Sequence, residues 1–454
     1  MAQSMAKHFT LGALLRFTAP SIAMVIFTSI YGIVDGLFVS NFAGKTAFAA
    51  VNLILPPVII LSTMGYMLGT GGSALIAKTR GQGDDERANR YFSMIVYGGI
   101  VISVVLAIVG AAVMEPVAWA LGATPEMVGL CTLYGRMLMI SLPFYVLQYA
   151  FQTFFVTAGK PKLGLAVIII AGVANMVLDA VFVGALGWGV AGAAAATNVS
   201  EILGGGLPLI YFLRKNTSYL RLVRARFEWR PFGKACVNGL SEMMTAIAMS
   251  VVSMLYNLQL MHYVGEDGVA AYGVIMYVVM VFAAIFMGFN IGSSPLLSYQ
   301  YGAKNRPEMR SLLAKSLLFT AVGGVAMFVL GQLLAEPIAL IFTGYDAQLL
   351  ALTVHGFRIY ALAFLLMGFS MYGSAFFTAL NNGVVSALIS FLRTLVFEVG
   401  SVLLLPLALG IDGIWLSVSV AEVAALVVTA AFMLGLGRHY GYLPPRKAHR
   451  DAVQ

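Results

Sequence analysis

Twelve long apolar stretches follow one another along this chain of 454 residues, and they limit its fold more than any other feature. Each has about 20 residues or more, which lets a helix cross the hydrocarbon core of a bilayer. Only 10% of the residues are charged, too few for the surface of a soluble domain of this size. A transmembrane β-barrel is excluded because its strands are short and alternate. The sequence therefore predicts an all-α polytopic membrane protein with spans 1–12 at 14–40, 47–77, 92–114, 127–157, 163–185, 189–213, 235–263, 268–300, 311–335, 349–378, 384–409 and 413–437.

The lysine and arginine residues predict how the chain is oriented. Of the 27, 22 fall on one side of the spans, here called the basic side. Cytoplasmic loops are rich in these residues, so both termini are predicted in the cytoplasm and the protein in the plasma (inner) membrane of a prokaryote. The net charge of +8 then needs no nucleic-acid partner. The five remaining residues are Lys45, on the opposite side, and Arg16, Arg136, Arg358 and Arg393, within the spans.

The two halves of the chain repeat each other at an offset of 221 residues. GSALIAKTRGQGDDERANR (72–90) corresponds to SSPLLSYQYGAKNRPEMR (293–310), and Glu115-Pro116 corresponds to Glu336-Pro337. Because each half has an even number of spans, the halves must be related by an axis along the membrane normal. The predicted domains are an N-lobe (1–213, spans 1–6), a basic cytoplasmic linker (214–234), a C-lobe (235–437, spans 7–12) and a cytoplasmic tail (438–454). Such parallel repeats are typical of transporters that bind substrate between the halves; a duplicated bundle without transport is the alternative.

Six acidic residues lie within the predicted spans, and the repeat divides them into two groups. Each costs about 2.5–3.5 kcal/mol at the bilayer centre, so each needs a partner, a wet cavity or a proton. Glu201 and Glu422 are repeat partners, which is compatible with a structural role. Four polar residues of the N-lobe have no such equivalent in the C-lobe. They are listed here with their repeat partners in parentheses: Asp35 (Tyr256), Asn175 (Val396), Asp179 (Gly400) and Thr197 (Val418).

These four residues and Tyr134 are predicted at one depth, about 9–13 Å below the surface opposite the basic side, from the 1.5 Å rise of a helix. Asn175 and Asp179 are four residues apart and share a helix face. Hard monovalent cations prefer oxygen ligands, and two close carboxylates also share a proton. The set therefore predicts a binding site for a coupling cation, Na⁺ or H⁺. The alternative is a satisfied polar cluster that holds the spans together.

Pro20 lies fifteen residues before Asp35 in span 1. Proline removes a helix hydrogen bond and permits a bend, which would link the position of Asp35 to the shape of the N-lobe. A static kink is equally compatible with the sequence. Secondary polar sites are predicted at Glu201, Glu242, Arg393, Glu398 and Glu422.

The charged residues of span 11, and one of span 4, leave further alternatives open. Arg393 and Glu398 could pair with each other or with a neighbour. Arg136 and Arg393 could instead contact an anionic substrate.

The chain resembles the multidrug and toxic compound extrusion (MATE) family over about residues 10–437. The resemblance rests on SIYGIVDGLFVSNFAG (29–44), ANMVLDAVF (174–182) and GWGVAGAAAATN (187–198). It implies that Asp35, Asn175, Asp179 and Thr197 form an N-lobe cation site with Tyr134 beside it, and that span 1 bends at Pro20. It also implies that inward Na⁺ or H⁺ movement drives export of amphipathic, often cationic, compounds. One branch of the family uses acids in spans 7 and 10, but span 10 here has no acid, so a second-half site of that type is not expected.

The sequence contains no Gly-rich phosphate loop, metal-ligand spacing or nucleophile triad, so we expect neither an enzyme nor a cofactor. We expect a monomer in contact with membrane lipid and a small-molecule substrate. A lipid-linked precursor flippase of the same superfamily is the alternative, although such proteins usually have more spans and a basic cavity. A passive channel or a membrane receptor is a third function class, but a channel would favour similar pore residues from both halves.

Overall fold

The computed structural model describes residues 5–39, 42, 45–344 and 346–443. Each predicted span is helical, and three spans contain a short π or 3₁₀ segment. The last residue of predicted span 1 and most of the predicted tail (444–454) lie outside the described residues. In chain order, the spans are Leu11–Phe38; Lys45–Ser62 and Met64–Gly81; Asp85–Ala120; Pro125–Thr157; Pro161–Asp179 with Ala180–Ala185 (π); Gly189–Leu213; Trp229–Tyr263; Glu266–Gly302; Arg306–Thr343; Ala347–Tyr360, Ala361–Ala363 (3₁₀) and Phe364–Ala379; Gly383–Phe391, Leu392–Glu398 (π) and Val399–Leu409; and Ile411–Tyr440.

Eleven of the helical spans in the described residues are long and apolar enough to cross a membrane. Span 6 (Gly189–Leu213) does not meet that criterion, since its sequence contains Asn198, Glu201 and several glycines. It packs against spans 4 and 5, which cover its polar residues. The structure is therefore a multi-pass bundle of twelve helical spans in two six-helix lobes.

Several helices extend beyond the predicted boundaries, for example span 3, which runs from Asp85 to Ala120, and span 9, which runs from Arg306 to Thr343. Span 7 begins at Trp229 rather than at 235, because Pro231 in its first turn already has the backbone angle of a helix. The non-helical part of the linker is therefore shorter than predicted. Span 12 continues to Tyr440, beyond the predicted end at 437, and stops at Gly441, which has a left-handed backbone (φ 78°). Arg438 and His439 in its last turn favour this end electrostatically.

Each lobe has its own hydrophobic core. The core of the N-lobe is formed by spans 2–6 together with buried side chains of the linker and the start of span 7, and includes the aromatic cluster of Phe92, Phe151, Phe154 and Phe212. The core of the C-lobe is formed by spans 7–12 and includes Trp415 and the stacked pair Tyr256–Tyr272. Two separate cores allow the lobes to move as units.

Span 1 contacts both lobes. Its first turns pack into a third core with residues of spans 8, 9 and 10, where Phe17 is fully buried. There Gly292 of span 8 lies so close to Thr18 that a Cβ would be 2.8 Å from the threonine methyl group. Further along, Gly172 of span 5 faces the rings of Phe27 and Tyr31. Span 1 thus crosses from the C-lobe to the N-lobe shortly after Pro20.

The lobes meet on the basic side of the molecule. Gly81 at the end of span 2 lies directly against the backbone of Tyr299 in span 8. The Lys78 ammonium lies 5.0 Å from the centre of the Tyr301 ring, and Asn381 Nδ2 donates to Ala74 O at 3.2 Å. The other end of span 2 (Lys45–Ser62) packs mainly against span 4 of its own lobe. The described structure is therefore closed on the basic side.

Candidate cation site in the N-lobe

Span 5 presents two of the predicted site residues on its inner face. The side chains of Asn175 and Asp179 are buried, whereas Val173, two residues before Asn175, and Val177, between the two, are 44% and 55% exposed. The four-residue spacing thus produces the shared face that the sequence predicts. The α-helix ends at Asp179, and a π-helical turn follows from Ala180 to Ala185. Such a turn widens the helix, and π segments are frequent at functional sites.

The carboxyl groups of Asp35 and Asp179 interact with each other across the contact between spans 1 and 5. Asp179 is fully buried, and neither of its oxygens has a hydrogen-bond partner among the described residues. The same holds for Oδ1 of Asp35. Two facing carboxyl groups without donors are stable in a low-dielectric interior only when a proton or another cation compensates their charge.

Spans 4 and 6 contribute the remaining two predicted residues. Tyr134 is almost completely buried and lies beside Thr197, with Asp35, Glu201 and Asp179 as its acidic neighbours. Thr197 Oγ1 is also buried without a hydrogen-bond partner in the described part of the chain. The structure thus brings the predicted residues together from four spans, and four of their oxygen atoms lack a donor. Such a donor set suits a hard monovalent cation or a shared proton.

Pro20 lies inside the helix of span 1, which continues through it from Leu11 to Phe38. Because proline has no N–H, the carbonyl of Arg16 lacks its helical donor at this point. Fifteen residues separate Pro20 from Asp35, a distance of about 22 Å along the axis. A bend at Pro20 would therefore reach Asp35 only if the part of span 1 after Pro20 moves as a rigid helix. The bend itself remains a prediction.

The secondary sites of the C-lobe form an ion pair of a different kind. Arg393 donates from Nε and Nη2 to Glu422 Oε1, at 2.8 Å and 2.6 Å, and both side chains are largely buried. The sequence left open whether Arg393 pairs with Glu398 or with another residue, and the structure pairs it with Glu422. Glu398 and Glu242 also lie near Arg393. In the pair with Glu422, two of the five N–H groups of the Arg393 guanidinium are bonded to a carboxylate of the same chain.

Arg136 lies away from the candidate site. It is half exposed, donates to Ala111 O at 3.1 Å and lies 4.0 Å from Glu115. Arg358 and Glu336 make a similar pair in the C-lobe, also at 4.0 Å; Glu336 is the repeat partner of Glu115, whereas Arg358 lies one position beyond the repeat partner of Arg136. The two pairs are repeated features of the surface opposite the basic side.

The sequence reasoning missed the partners of Glu201. Ser141 in span 4 contacts its carboxyl group, and Ser141 is in turn hydrogen-bonded to Asn198 in span 6. One signal was present, because polar residues recur every seven positions along span 4, at Tyr134, Ser141 and Gln148. A seven-residue spacing places side chains on one helix face, here the inner face of the N-lobe.

Comparison with known proteins identifies relatives of the whole bundle. The sequence profile of the MatE family matches the chain twice, at residues 20–181 and 243–403. Among curated proteins, the multidrug export protein MepA of Staphylococcus saprophyticus is 27% identical over 319 residues, covering 70% of each chain. A crystal structure of MATE in complex with MaL6 superposes with a TM-score of 0.88 at 22% identity, over 94% of this chain and 96% of that one. An outward-facing multidrug resistance MATE family transporter superposes with a TM-score of 0.85 at 24% identity, over 94% and 95%.

Proposed function

The chain belongs to the MatE family of multidrug efflux transporters, and we propose that it is an antiporter that exports amphipathic, often cationic, compounds in exchange for Na⁺ or H⁺. The cation binds in the N-lobe between Asp35 and Asp179, with Asn175, Thr197 and Tyr134 around it. The two lobes rock against each other so that the space between them opens to one side of the membrane at a time.

One observation carries the proposal. The carboxyl groups of Asp35 and Asp179 face each other, and their buried oxygens lack donors among the described residues. A purely structural polar cluster would satisfy these atoms, because an unpaired buried charge costs several kcal/mol. A mobile cation instead supplies the missing charge for part of the cycle. The inward gradient of that cation can then drive the export of a second solute.

The path of span 1 supports a coupling route between this site and the lobes. Its N-terminal turns, with Phe17 and Thr18, pack against the C-lobe, and its C-terminal turns place Asp35 in the N-lobe. When the lobes rock, span 1 must bend or slide, and Pro20 lies where it leaves the C-lobe. Cation binding at Asp35 therefore changes the free energy of the arrangement of the lobes.

The cellular setting follows from the charge distribution. We propose that the protein functions as a monomer in the plasma membrane of a prokaryote, with both termini and the basic side in the cytoplasm. In that orientation the described structure, closed on the basic side, faces outward. The space between the lobes then releases substrate to the outside and receives the coupling cation.

Liposomes preloaded with a fluorescent cationic dye test this function. An inward Na⁺ gradient and an inward H⁺ gradient are imposed separately on the wild type and on Asp179→Asn. We expect one gradient to drive dye efflux and the variant to lose that efflux. Asp412→Asn is the matched control, because Asp412 is a half-exposed acid paired with His355 outside the site. Equal efflux with and without a gradient, or gradient-driven efflux by Asp179→Asn, would contradict the proposal.

A further inference from the structure

Glu201, an acid of span 6 outside the Asp35–Asp179 pair, is held by a short hydrogen-bonded chain. The side chain is buried, with 5% exposure, and Ser141 beside it is fully buried. Ser141 Oγ lies 2.5 Å from Glu201 Oε2 and 2.6 Å from Asn198 Oδ1. Another acceptor, the carbonyl of Leu138, lies at 3.3 Å. The hydroxyl of Ser141 is thus surrounded by acceptors.

The orientation of the Asn198 amide is fixed at its other end. Asn198 Nδ2 donates to Met137 O at 2.9 Å. Turning the amide over would place its oxygen against this backbone carbonyl and leave two acceptors facing each other. The amide oxygen therefore points to Ser141, and Ser141 must donate to it.

Counting protons then determines the state of Glu201. A serine hydroxyl has one hydrogen, and the bond to Asn198 uses it. At 2.5 Å, the contact between Ser141 Oγ and Glu201 Oε2 still requires a hydrogen between the two oxygens. Only Glu201 can supply it. We infer that Glu201 carries a proton in this conformation and is a proton-binding site of the N-lobe, separate from the Asp35–Asp179 pair.

The surroundings of Glu201 favour a retained proton. Span 1 contributes Asp35 and Tyr31 to its electrostatic neighbourhood, and span 4 contributes Tyr134, Tyr145 and Tyr149. The titratable residues of span 5 are Lys162, at its basic end, and Asp179. The neighbours are therefore acidic or neutral, and a second negative charge at Glu201 would be repelled by Asp35.

The repeat partner of Glu201 shows the opposite arrangement. Glu422 receives two N–H donors of Arg393 on one oxygen, which is the pattern of an ionised carboxylate. Its charge is compensated by a side chain that cannot leave. The charge of Glu201 is compensated by a proton, which can leave and return. A role of Glu201 in export rests on the proposed antiport, whereas the presence of the proton does not.

Infrared difference spectroscopy of the purified protein in lipid tests the inference directly. A protonated carboxyl group has a C=O stretching band that a carboxylate and an amide lack. We expect this band in the wild type and in Asp179→Asn, and we expect one such band to be missing in Glu201→Gln. The glutamine is isosteric and donates to Ser141, so the local chain of hydrogen bonds is preserved.

A second variant keeps the inference falsifiable if Glu201→Gln fails to fold. Ser141→Ala removes the acceptor of the Glu201 proton, so the carboxylic-acid band should remain and shift in frequency. Loss of a carboxylate band, rather than an acid band, in Glu201→Gln would overturn the inference. So would a spectrum of Ser141→Ala with an unshifted acid band. Both results are independent of whether the protein exports a dye.

Discussion

The two lobes share a fold and a sequence register, yet they compensate their buried charges in different ways. In the N-lobe, Asp35 and Asp179 face each other, and no basic side chain of the described residues pairs with them. At the same repeat positions, the C-lobe has Tyr256 and Gly400, which carry no charge at neutral pH. Its acid Glu422 is instead paired with Arg393 at 2.6 Å.

This difference indicates a division of labour between the lobes. A carboxylate that is compensated by an arginine of the same chain has no need of an external cation. A pair of carboxyl groups without such a partner does need one. We therefore expect the N-lobe to bind the coupling cation and the C-lobe to provide a structural counterpart. The repeat partners Glu201 and Glu422 allow the most direct comparison of the two lobes.

The largest effect is expected from separating the Arg393–Glu422 pair. Glu422→Gln removes the carboxylate that accepts two hydrogen bonds from the buried Arg393 guanidinium, which should destabilise the protein by about 3–5 kcal/mol. Glu201→Gln has the same chemistry in the N-lobe but replaces a neutral acid by a neutral amide, and should cost less than about 1 kcal/mol. Thermal inactivation followed by size-exclusion chromatography measures both. Equal losses of stability would show that the repeat partners have the same charge state.

A somewhat smaller effect is expected at the contact between the lobes. In Gly81→Ala, the added methyl group meets the backbone of Tyr299, including its carbonyl carbon at 3.0 Å, so the basic side cannot close without a shift. Overpacking of this kind costs about 1–3 kcal/mol and should favour the state that is open on the basic side.

Closure of the basic side is measured as the distance between a spin label at Glu86→Cys in the N-lobe and one at Lys304→Cys in the C-lobe. The native cysteines are replaced, and the distance is read by pulsed electron paramagnetic resonance. Gly233→Ala is the matched control, because a Cβ at Gly233 meets nothing within 4 Å. An unchanged distance distribution in Gly81→Ala would show that this contact does not limit closure.

Replacing single neutral site residues by those of the C-lobe should weaken cation binding without abolishing it. Asn175→Val and Thr197→Val give the N-lobe the residues that the C-lobe has at these positions. Each variant loses one oxygen, worth about 1 kcal/mol, so the cation concentration for half-maximal export should rise about five-fold to ten-fold. Val396→Ala in the C-lobe should leave it unchanged. A larger effect of Val396→Ala than of Asn175→Val would reverse the assignment of the lobes.

The smallest effect is expected for Pro20→Ala. Alanine restores the N–H donor for the carbonyl of Arg16 and straightens the helix at the point where span 1 leaves the C-lobe. Export should fall a few-fold, while cation affinity should stay within about two-fold because Asp35 is some 22 Å away. Parallel measurement of maximal export and of half-saturation by the cation separates these effects. A large loss of affinity with normal maximal export would contradict a role of Pro20 in movement.

The apolar pattern was sufficient to predict the twelve spans, because a bilayer allows few other folds for such a chain, and the repeat predicted the two lobes. The four-residue spacing also predicted that Asn175 and Asp179 share the buried face of span 5. The partners of Arg393 and Glu201 were not predictable, because they depend on which faces of spans 4, 6, 11 and 12 meet. The start of span 7 at Trp229 was missed because a basic, non-apolar first turn carries no membrane signal.

The division of labour between the lobes is tested most directly by comparing two variants under one gradient. In liposomes, the gradient that drives dye efflux by the wild type is applied to Asp35→Asn and to the double variant Arg393→Met/Glu422→Gln. The double variant removes the charges of the C-lobe pair together and leaves neither one unpaired. We predict that Asp35→Asn loses gradient-driven efflux and that the double variant keeps at least about half of it. Efflux by Asp35→Asn combined with its loss in the double variant would place the coupling cation in the C-lobe and contradict this account.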